Sequence, residues 1–275
     1  MKAKFPRFPA SLLVFAMAIT FGAGLSRAAL QPNSNTQEEK GKDKEKNKKI
    51  DKKEEAAYKA FFEARGGDPA TQVQLGEEFA AKFPQSHYLD GVYGTLTTAY
   101  FGMGNTDKMF EAGTKALALN PDNVDVLSLL AMAIPRRVHA NTPDGAQQLQ
   151  KAEGYAHHVI ELIPTLPKPD EVDEATFEKA KNDKLSLAHS GLGLIYINHS
   201  KFDDARTELT QAVQLASSPD PVDYYLLGNA DVGASYYHDA VAAYEKCVAA
   251  GGQLAAPCKA RMASAQHDAE TKLGR

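Results

Sequence analysis

Apolar residues recur at helical spacing through most of the chain, from Ala56 to Arg275. Apolar positions three and four residues apart place their side chains on one face of a helix. Gly, Asn, Asp or Pro interrupts this pattern at intervals of roughly 12 to 18 residues, which is typical of helix ends. No alternating pattern typical of a strand stands out. The pattern therefore predicts an all-α domain.

Two stretches that lie 35 residues apart share the same residue types at the same positions. The first is SGLGLIYINHSKFDDARTELTQAV (Ser190 to Val213), and the second is YYLLGNADVGASYYHDAVAAYEKCV (Tyr224 to Val248). The matched positions are Leu192-Gly193 with Leu227-Gly228, Phe202 with Tyr237, Ala205 with Ala240, Leu209 with Tyr244, and Ala212 with Cys247. Recurrence at such a period indicates a repeat architecture.

Small and large residues have separate places within each copy. Gly193, Ala205 and Ala212 are small enough to let two helices approach closely. Larger side chains fill the space around them: Leu192, Tyr196, Phe202 and Leu209. This unit resembles the tetratricopeptide repeat, a helix-turn-helix of about 34 residues. The resemblance implies a right-handed α-solenoid with about five helical pairs and a C-terminal capping helix over Ala256 to Gly274.

Other parts of the chain carry weaker copies of the unit. These copies cover Asp90 to Asn123, Val124 to Pro164, and Ala56 to Pro84. Terminal repeats are expected to be atypical because one of their faces meets water. A proline-rich connector, Pro164 to Lys184, precedes the copy that contains Ser190. Within it, Asp170 is the predicted N-cap of a long helix that continues to His199.

The first 28 residues have the composition of a secretory signal peptide. Basic residues precede an apolar run from Ser11 to Leu25, and small residues follow it up to Ala28. This run is shorter than the roughly 20 residues that a membrane-spanning helix needs, which favours cleavage over a retained anchor. The sequence therefore predicts an exported protein, periplasmic or secreted, with no stable membrane anchor after cleavage.

Residues 29–55 are polar and of low complexity. Eight lysines and seven acidic residues lie between Glu38 and Glu55, with too little apolar surface to offset the entropy of ordering. We interpret this segment as a disordered linker that precedes a repeat domain over 56–275. The segment from Ala56 to Arg275 has 19 basic and 28 acidic residues. This acidic balance disfavours nucleic acid as a partner, and electrostatics favour a basic protein or peptide.

Motifs that carry known chemistry are missing from the sequence. It contains no G-x-S-x-G, H-E-x-x-H, P-loop or C-x-x-C pattern. His157, His158 and Glu161 lie within one helical turn, but a metal site needs three or four converging ligands. We therefore predict a protein that is not an enzyme and has no cofactor. An unrecognised site built from these histidines, the Pro135 to Gly145 loop and the connector stays open as an alternative.

Cys247 and Cys258 are the two cysteines of the chain. An even number of cysteines in an exported protein favours a disulfide, which would link the last repeat to the capping helix. Because Cys247 also suits a small core position, two free thiols are the alternative.

The resemblance also implies a function, since ligand peptides of tetratricopeptide-repeat proteins lie along the concave face. The corresponding candidate groove residues are Thr98, Phe101, Ser190, Leu194, Ile197, Asn198, Tyr225, Asn229 and Val232. Their side chains predict a mildly apolar groove with amides that can bind a peptide backbone. The resulting hypothesis is an exported adaptor or scaffold that binds another protein. An envelope-complex assembly factor, and an enzyme or ligand-binding protein, are the alternatives.

Overall fold

The computed structural model describes residues 52–138, 142–272 and 274, and within these residues the regular structure is entirely helical. The α-helices are, in chain order, α1 (Lys52–Glu63), α2 (Pro69–Lys82), α3 (Leu89–Gly102), α4 (Thr106–Leu119), α5 (Val124–Arg137), α6 (Gly145–Leu162), α7 (Glu174–Asn198), α8 (Phe202–Leu215), α9 (Pro221–Gly233), α10 (Tyr237–Ala250) and α11 (Ala255–Thr271). Single 3-10 turns occupy Ile163–Thr165 and Gly252–Leu254. The all-α prediction is confirmed for this part of the chain.

The N-terminal predictions lie largely outside the described residues. This holds for the signal peptide over 1–28 and for most of the linker over 29–55. Helix α1 begins at Lys52, so the last four residues assigned to the linker are helical. Lys and Glu are good helix formers, and Glu54 and Glu55 in the first turn complement the helix dipole.

The described residues divide into two compact units. One unit contains α1 to α4 together with Pro167–Phe177, and in it α2 packs on both α1 and α3, while α3 packs on α4. The other unit contains α5, α6, α7 from Glu178 onward, and α8 to α11. In this unit α5 packs on α6, and α8, α9, α10 and α11 pack in succession.

Glycines set the distance between helices in both units. In the first unit, a Cβ atom on Gly76 of α2 would lie 2.8 Å from Leu96 Cδ2 of α3 and 2.9 Å from Phe61 Cε2 of α1. In the second, a Cβ atom on Gly191 of α7 would lie 2.2 Å from the carbonyl oxygen of Ala131 in α5. Real Cβ atoms do not approach other atoms so closely, so these helices meet only because glycine has no side chain.

The small and large positions of the repeat pack as the sequence predicted. A Cβ atom on Gly193 would lie 2.4 Å from Leu209 Cγ, so α7 and α8 meet at this glycine. Ala205 and Ala212 of α8 are fully buried in the same contact region. Helix-turn-helix packing through small residues is therefore confirmed for this pair, as the resemblance to the tetratricopeptide repeat implied.

Helix α7 is long, as predicted from the connector, but its N-terminus differs from the prediction. The cap is Asp173, whose carboxylate accepts hydrogen bonds from the Thr176 backbone N–H at 3.0 Å and from its hydroxyl at 2.6 Å. The predicted cap, Asp170, lies three residues too early. The helix begins at Glu174, one residue after the side chain that satisfies its free N–H groups.

The helices of the described residues were also compared with the requirements of a membrane span. None of them combines the length and the apolar composition needed to cross a bilayer.

Candidate functional site

The nine candidate groove residues all lie on the first helices of helical pairs. Thr98 and Phe101 belong to α3, in the unit that contains α1 to α4. Thr98 is exposed and Phe101 is half-buried. The other seven residues lie on α7 and α9, in the second unit, and the structure separates them into a buried and a more accessible group.

Three of the candidates, Ser190, Tyr225 and Asn229, are buried rather than groove-lining. The side chain of Asn229 accepts a hydrogen bond at 2.8 Å from the hydroxyl of Tyr244, and the ring of Tyr225 lies 6.1 Å from the ring of Tyr244. Tyr244 takes the position that Leu209 holds in the preceding copy. A buried tyrosine hydroxyl needs a polar partner. The change from Leu209 to Tyr244 at this position was therefore the sequence signal that Asn229 is a buried hydrogen-bond partner.

Ser190 belongs to a buried charge cluster around Arg136, a residue that the sequence reasoning did not select. Arg136 donates to Asp220 at 2.6 Å, to Asp223 at 3.0 Å and to the Ser190 hydroxyl at 3.1 Å. Ser190 in turn donates to Asp223 at 2.6 Å. The side chains of Arg136, Asp220 and Asp223 are only 16%, 9% and 5% exposed. The cluster thus connects α5, α7 and α9 from the inside.

The charges of this cluster suit the helix ends that carry them. Arg136 lies in the last turn of α5, where a cation is favourable, and Asp220 caps the N-terminus of α9, where an anion is favourable. Burial raises the pKa of Asp223 to about 6, although Arg136 opposes this change. Arg136 was predicted to lie in a loop from Pro135 to Gly145, whereas α5 continues to Arg137. The acidic partners of Arg136 lie more than 80 residues away along the chain.

The remaining four candidates, Leu194, Ile197, Asn198 and Val232, form what we call the turn-end surface. The three apolar side chains are half-buried and pack on the core of this unit, while Asn198 lies at the end of α7. Phe202, which follows the turn after α7, packs where a Cβ atom of Gly233 would lie. This contact places the end of α9, with Val232, beside the turn that follows Asn198.

The described residues do not form a metal site at His157 and His158, the histidines of the alternative site. His157 is exposed and His158 is half-buried on α6. Nowhere in 52–138, 142–272 or 274 do three or more His, Cys, Asp or Glu side chains converge in a way that could hold a metal ion. Residues 139–141 of the loop in this alternative lie outside the described part.

Cys247 and Cys258 form a disulfide in the structure, with their Cα atoms 6.1 Å apart. Both residues are fully buried between α10 and α11. The bond links the last helical pair to the helix that follows it.

Comparisons with other proteins identify similar solved structures only. No protein-family model matches the chain, and no curated protein matches it significantly. TTC0263, a thermophilic tetratricopeptide-repeat protein of Thermus thermophilus, has 18% identity and a TM-score of 0.47, covering 78% of this chain and 99% of its own. The MamA RS-1 ArsTM double mutant has 12% identity and a TM-score of 0.46, covering 81% and 99%. A tetratricopeptide-repeat protein of Parabacteroides merdae has 13% identity and a TM-score of 0.32, covering 78% and 100%.

Proposed function

We propose that this helical-repeat protein of the tetratricopeptide type is an exported adaptor that binds another protein through the turn-end surface. Fold alone does not specify function, so the proposal depends on the site. The observation that carries it is the group of half-buried apolar side chains, Leu194, Ile197 and Val232, together with the exposed Asn198 at the end of α7.

Such a surface suits an extended polypeptide. Partly exposed Leu, Ile and Val side chains can bury apolar side chains of a partner, and the carboxamide of Asn198 can both donate to and accept from its backbone. The buried cluster of Arg136 supports this use indirectly. It holds α5, α7 and α9 in one arrangement, so the binding surface is organised before a partner arrives.

Two further parts of the proposal rest on the sequence. The segment Met1 to Ala28 supports export, and the excess of acidic residues after Ala56 supports a basic partner. Assembly of an envelope complex would be one use of such an adaptor. The proposal includes no catalytic role.

Site-specific crosslinking in intact cells tests the binding surface. A photoreactive benzoylphenylalanine replaces Asn198 in one variant and Gln211, an exposed residue of α8, in a matched control. We expect a crosslinked protein from position 198 that is absent from position 211. The same partner should be lost in Asn198→Arg and retained in Gln211→Arg.

Two results would contradict the proposed surface. One is a partner that crosslinks equally from both positions, and the other is a partner whose binding survives Asn198→Arg. Asn229→Ala is unsuitable as a probe, because it removes the acceptor of the buried Tyr244 hydroxyl.

Export has a separate test. Intact-mass analysis of protein recovered from the native host should show a chain that lacks Met1 to Ala28. Recovery of a chain that retains this segment would contradict cleavage, and its recovery from the cytoplasmic fraction would contradict export.

A further inference from the structure

A small cavity opens between α8, α9 and α10, on the side of α9 that faces these two helices. Its volume is about 180 Å³. We call it the α8–α10 cavity, and it is lined by Arg206, Thr210, Tyr224, Leu227, Asp231, Asp239, Ala242, Ala243 and Lys246.

The preceding repeat explains why space is left at this place. The 35-residue alignment matches Asp231 with Tyr196 and Ala243 with Glu208. In the preceding repeat the Tyr196 ring is half-buried, and Oε2 of Glu208 lies 2.6 Å from Nδ1 of His189. Both positions carry smaller side chains in the later repeat. The cavity is therefore lined at the two positions that correspond to a tyrosine and a glutamate in the earlier repeat.

The charged groups at one end of the cavity already have partners. Arg206 donates to Asp231 and, at 2.6 Å, to Asp239. Its guanidinium also lies 3.7 Å from the ring centroid of Tyr236. Because these contacts occupy Arg206 and its two carboxylates, they form a fixed wall rather than a binding group.

Lys246 lies at the other end of the cavity, and it differs from Arg206 in having no carboxylate partner among the described residues. Its Nζ atom lies 5.6 Å from the ring centroid of Tyr224, and it forms no ion pair with any described residue. The residue is exposed. The cavity therefore offers a cation at its rim, next to the apolar surface of Leu227, Ala242 and Ala243.

We propose that the α8–α10 cavity binds an aromatic side chain of a partner protein, and that a carboxylate on the neighbouring residue of the partner pairs with Lys246. The ring takes the place that Tyr196 occupies in the preceding repeat, and the carboxylate takes the place of Glu208. Because the matched position of the preceding repeat carries a tyrosine, we take tyrosine as the aromatic residue of the partner. This site does not rest on the turn-end surface, since the two share no residue.

Nuclear magnetic resonance titrations of the whole chain without Met1 to Ala28 test the proposal. The probe is the peptide acetyl-Ala-Tyr-Glu-Ala-amide, observed through the backbone amides of Leu227 and Ala243. We expect saturable shifts with a dissociation constant on the order of 1 mM. Replacing the glutamate of the probe by glutamine should weaken binding about fivefold, and replacing its tyrosine by alanine should abolish binding.

Variants of the protein provide the matched controls. Asp231→Tyr fills the cavity with an internal ring and should abolish binding. If that variant does not fold, Ala242→Tyr fills the cavity from an exposed position of α10. Lys246→Gln should bind the glutamate and glutamine probes equally.

Three outcomes would overturn the proposal. The first is the absence of shifts at about 10 mM probe, about ten times the expected dissociation constant. The second is equal binding of the tyrosine and alanine probes. The third is tighter binding of free N-acetyltyrosine than of the peptide, which would assign the cavity to small aromatic acids instead of a protein partner.

Discussion

The helical pairs α7–α8 and α9–α10 are built on the same frame but present different chemistry. The close contact between the two helices of each pair is alike, because Gly193 packs against Leu209 and Gly228 packs against Tyr244. A Cβ atom would lie 2.4 Å from Leu209 Cγ at the first glycine and 2.6 Å from Tyr244 Cε1 at the second. The same small residue thus allows the same close approach in both pairs.

One helical turn away, the two pairs diverge. The first pair fills its outer space with Tyr196 and with the contact between His189 and Glu208. The second pair has Asp231 and Ala243 at two of these positions, and Arg206 neutralises the buried aspartate. The glycine that sets helix spacing is therefore kept even where its contact residue changes from leucine to tyrosine, whereas positions one turn away change the surface chemistry.

The largest expected effect comes from removing Arg206, the cation of α8 that pairs with Asp231 of the second pair. Arg206→Met leaves Asp231 buried without its partner and should lower the free energy of unfolding by about 3 kcal/mol at pH 7. Urea denaturation monitored by circular dichroism measures this change. The double variant Arg206→Met/Asp231→Leu should recover more than half of the loss. A single variant as stable as the parent would show that the ion pair is not needed.

The disulfide distinguishes the pairs next, since α7–α8 contains no cysteine. Cys247→Ala/Cys258→Ala should lower the free energy of unfolding by about 2 to 3 kcal/mol, because a short loop in the unfolded chain is no longer closed. Hydrogen exchange should show the loss in α10 and α11. Free-thiol labelling of the oxidised parent provides the control, and two reactive thiols would contradict the bond.

Exchanging the residues that differ between the pairs should have unequal effects. Tyr196→Asp should cost about 2 kcal/mol, because it removes a half-buried ring and adds an anion without an arginine. Burial and the charges of Glu153, Glu208 and Asp204 raise the pKa of Tyr196, which shows that this environment is already anionic. Asp231→Tyr should cost only about 1 kcal/mol, because its ring fills a cavity and Arg206 keeps Asp239 and the Tyr236 ring as partners. Thermal denaturation measures both variants, and equal losses of stability for Tyr196→Asp and Asp231→Tyr would contradict this prediction.

The smallest expected effect is a pH dependence that belongs to the second pair. Burial raises the pKa of Asp231 from 3.8 to about 6, despite the opposing effect of Arg206. Between these values the folded state holds a proton that the unfolded state has released, so stability should fall as the pH rises from about 4 to 7. A rise of about 2 pKa units corresponds to about 3 kcal/mol for a fully shielded group, and because this carboxylate lines the cavity, screening by solvent should reduce the contribution to about 1 to 2 kcal/mol.

Asp231→Asn isolates this contribution. Its free energy of unfolding should vary less between about pH 4.5 and 7 than that of the parent, when both are measured by urea denaturation. Asp223 has a raised pKa as well but is present in both proteins, so it cancels in the difference. Parallel pH profiles would contradict the prediction.

The groove residues show where sequence reasoning stopped being sufficient. Repeat register placed Ser190, Tyr225 and Asn229 on the correct helices, but it could not show whether another side chain covers them. The side chain that covers Ser190 comes from Arg136, 54 residues away, and a tyrosine hydroxyl engages Asn229. These contacts depend on how successive helices cross, which a repeat pattern does not specify.

The arrangement of the helices into repeated pairs follows from the amino-acid sequence. The spacing of apolar residues predicted the helices, and the repeated small residues predicted Gly193 and Gly228 as contact points, because both signals are local. Which polar residues are buried partners and which are accessible depends on how the helices pack, and so does the α8–α10 cavity. The physical reason is that burial and ion pairing depend on side chains that are distant in the chain and meet only when the helices pack.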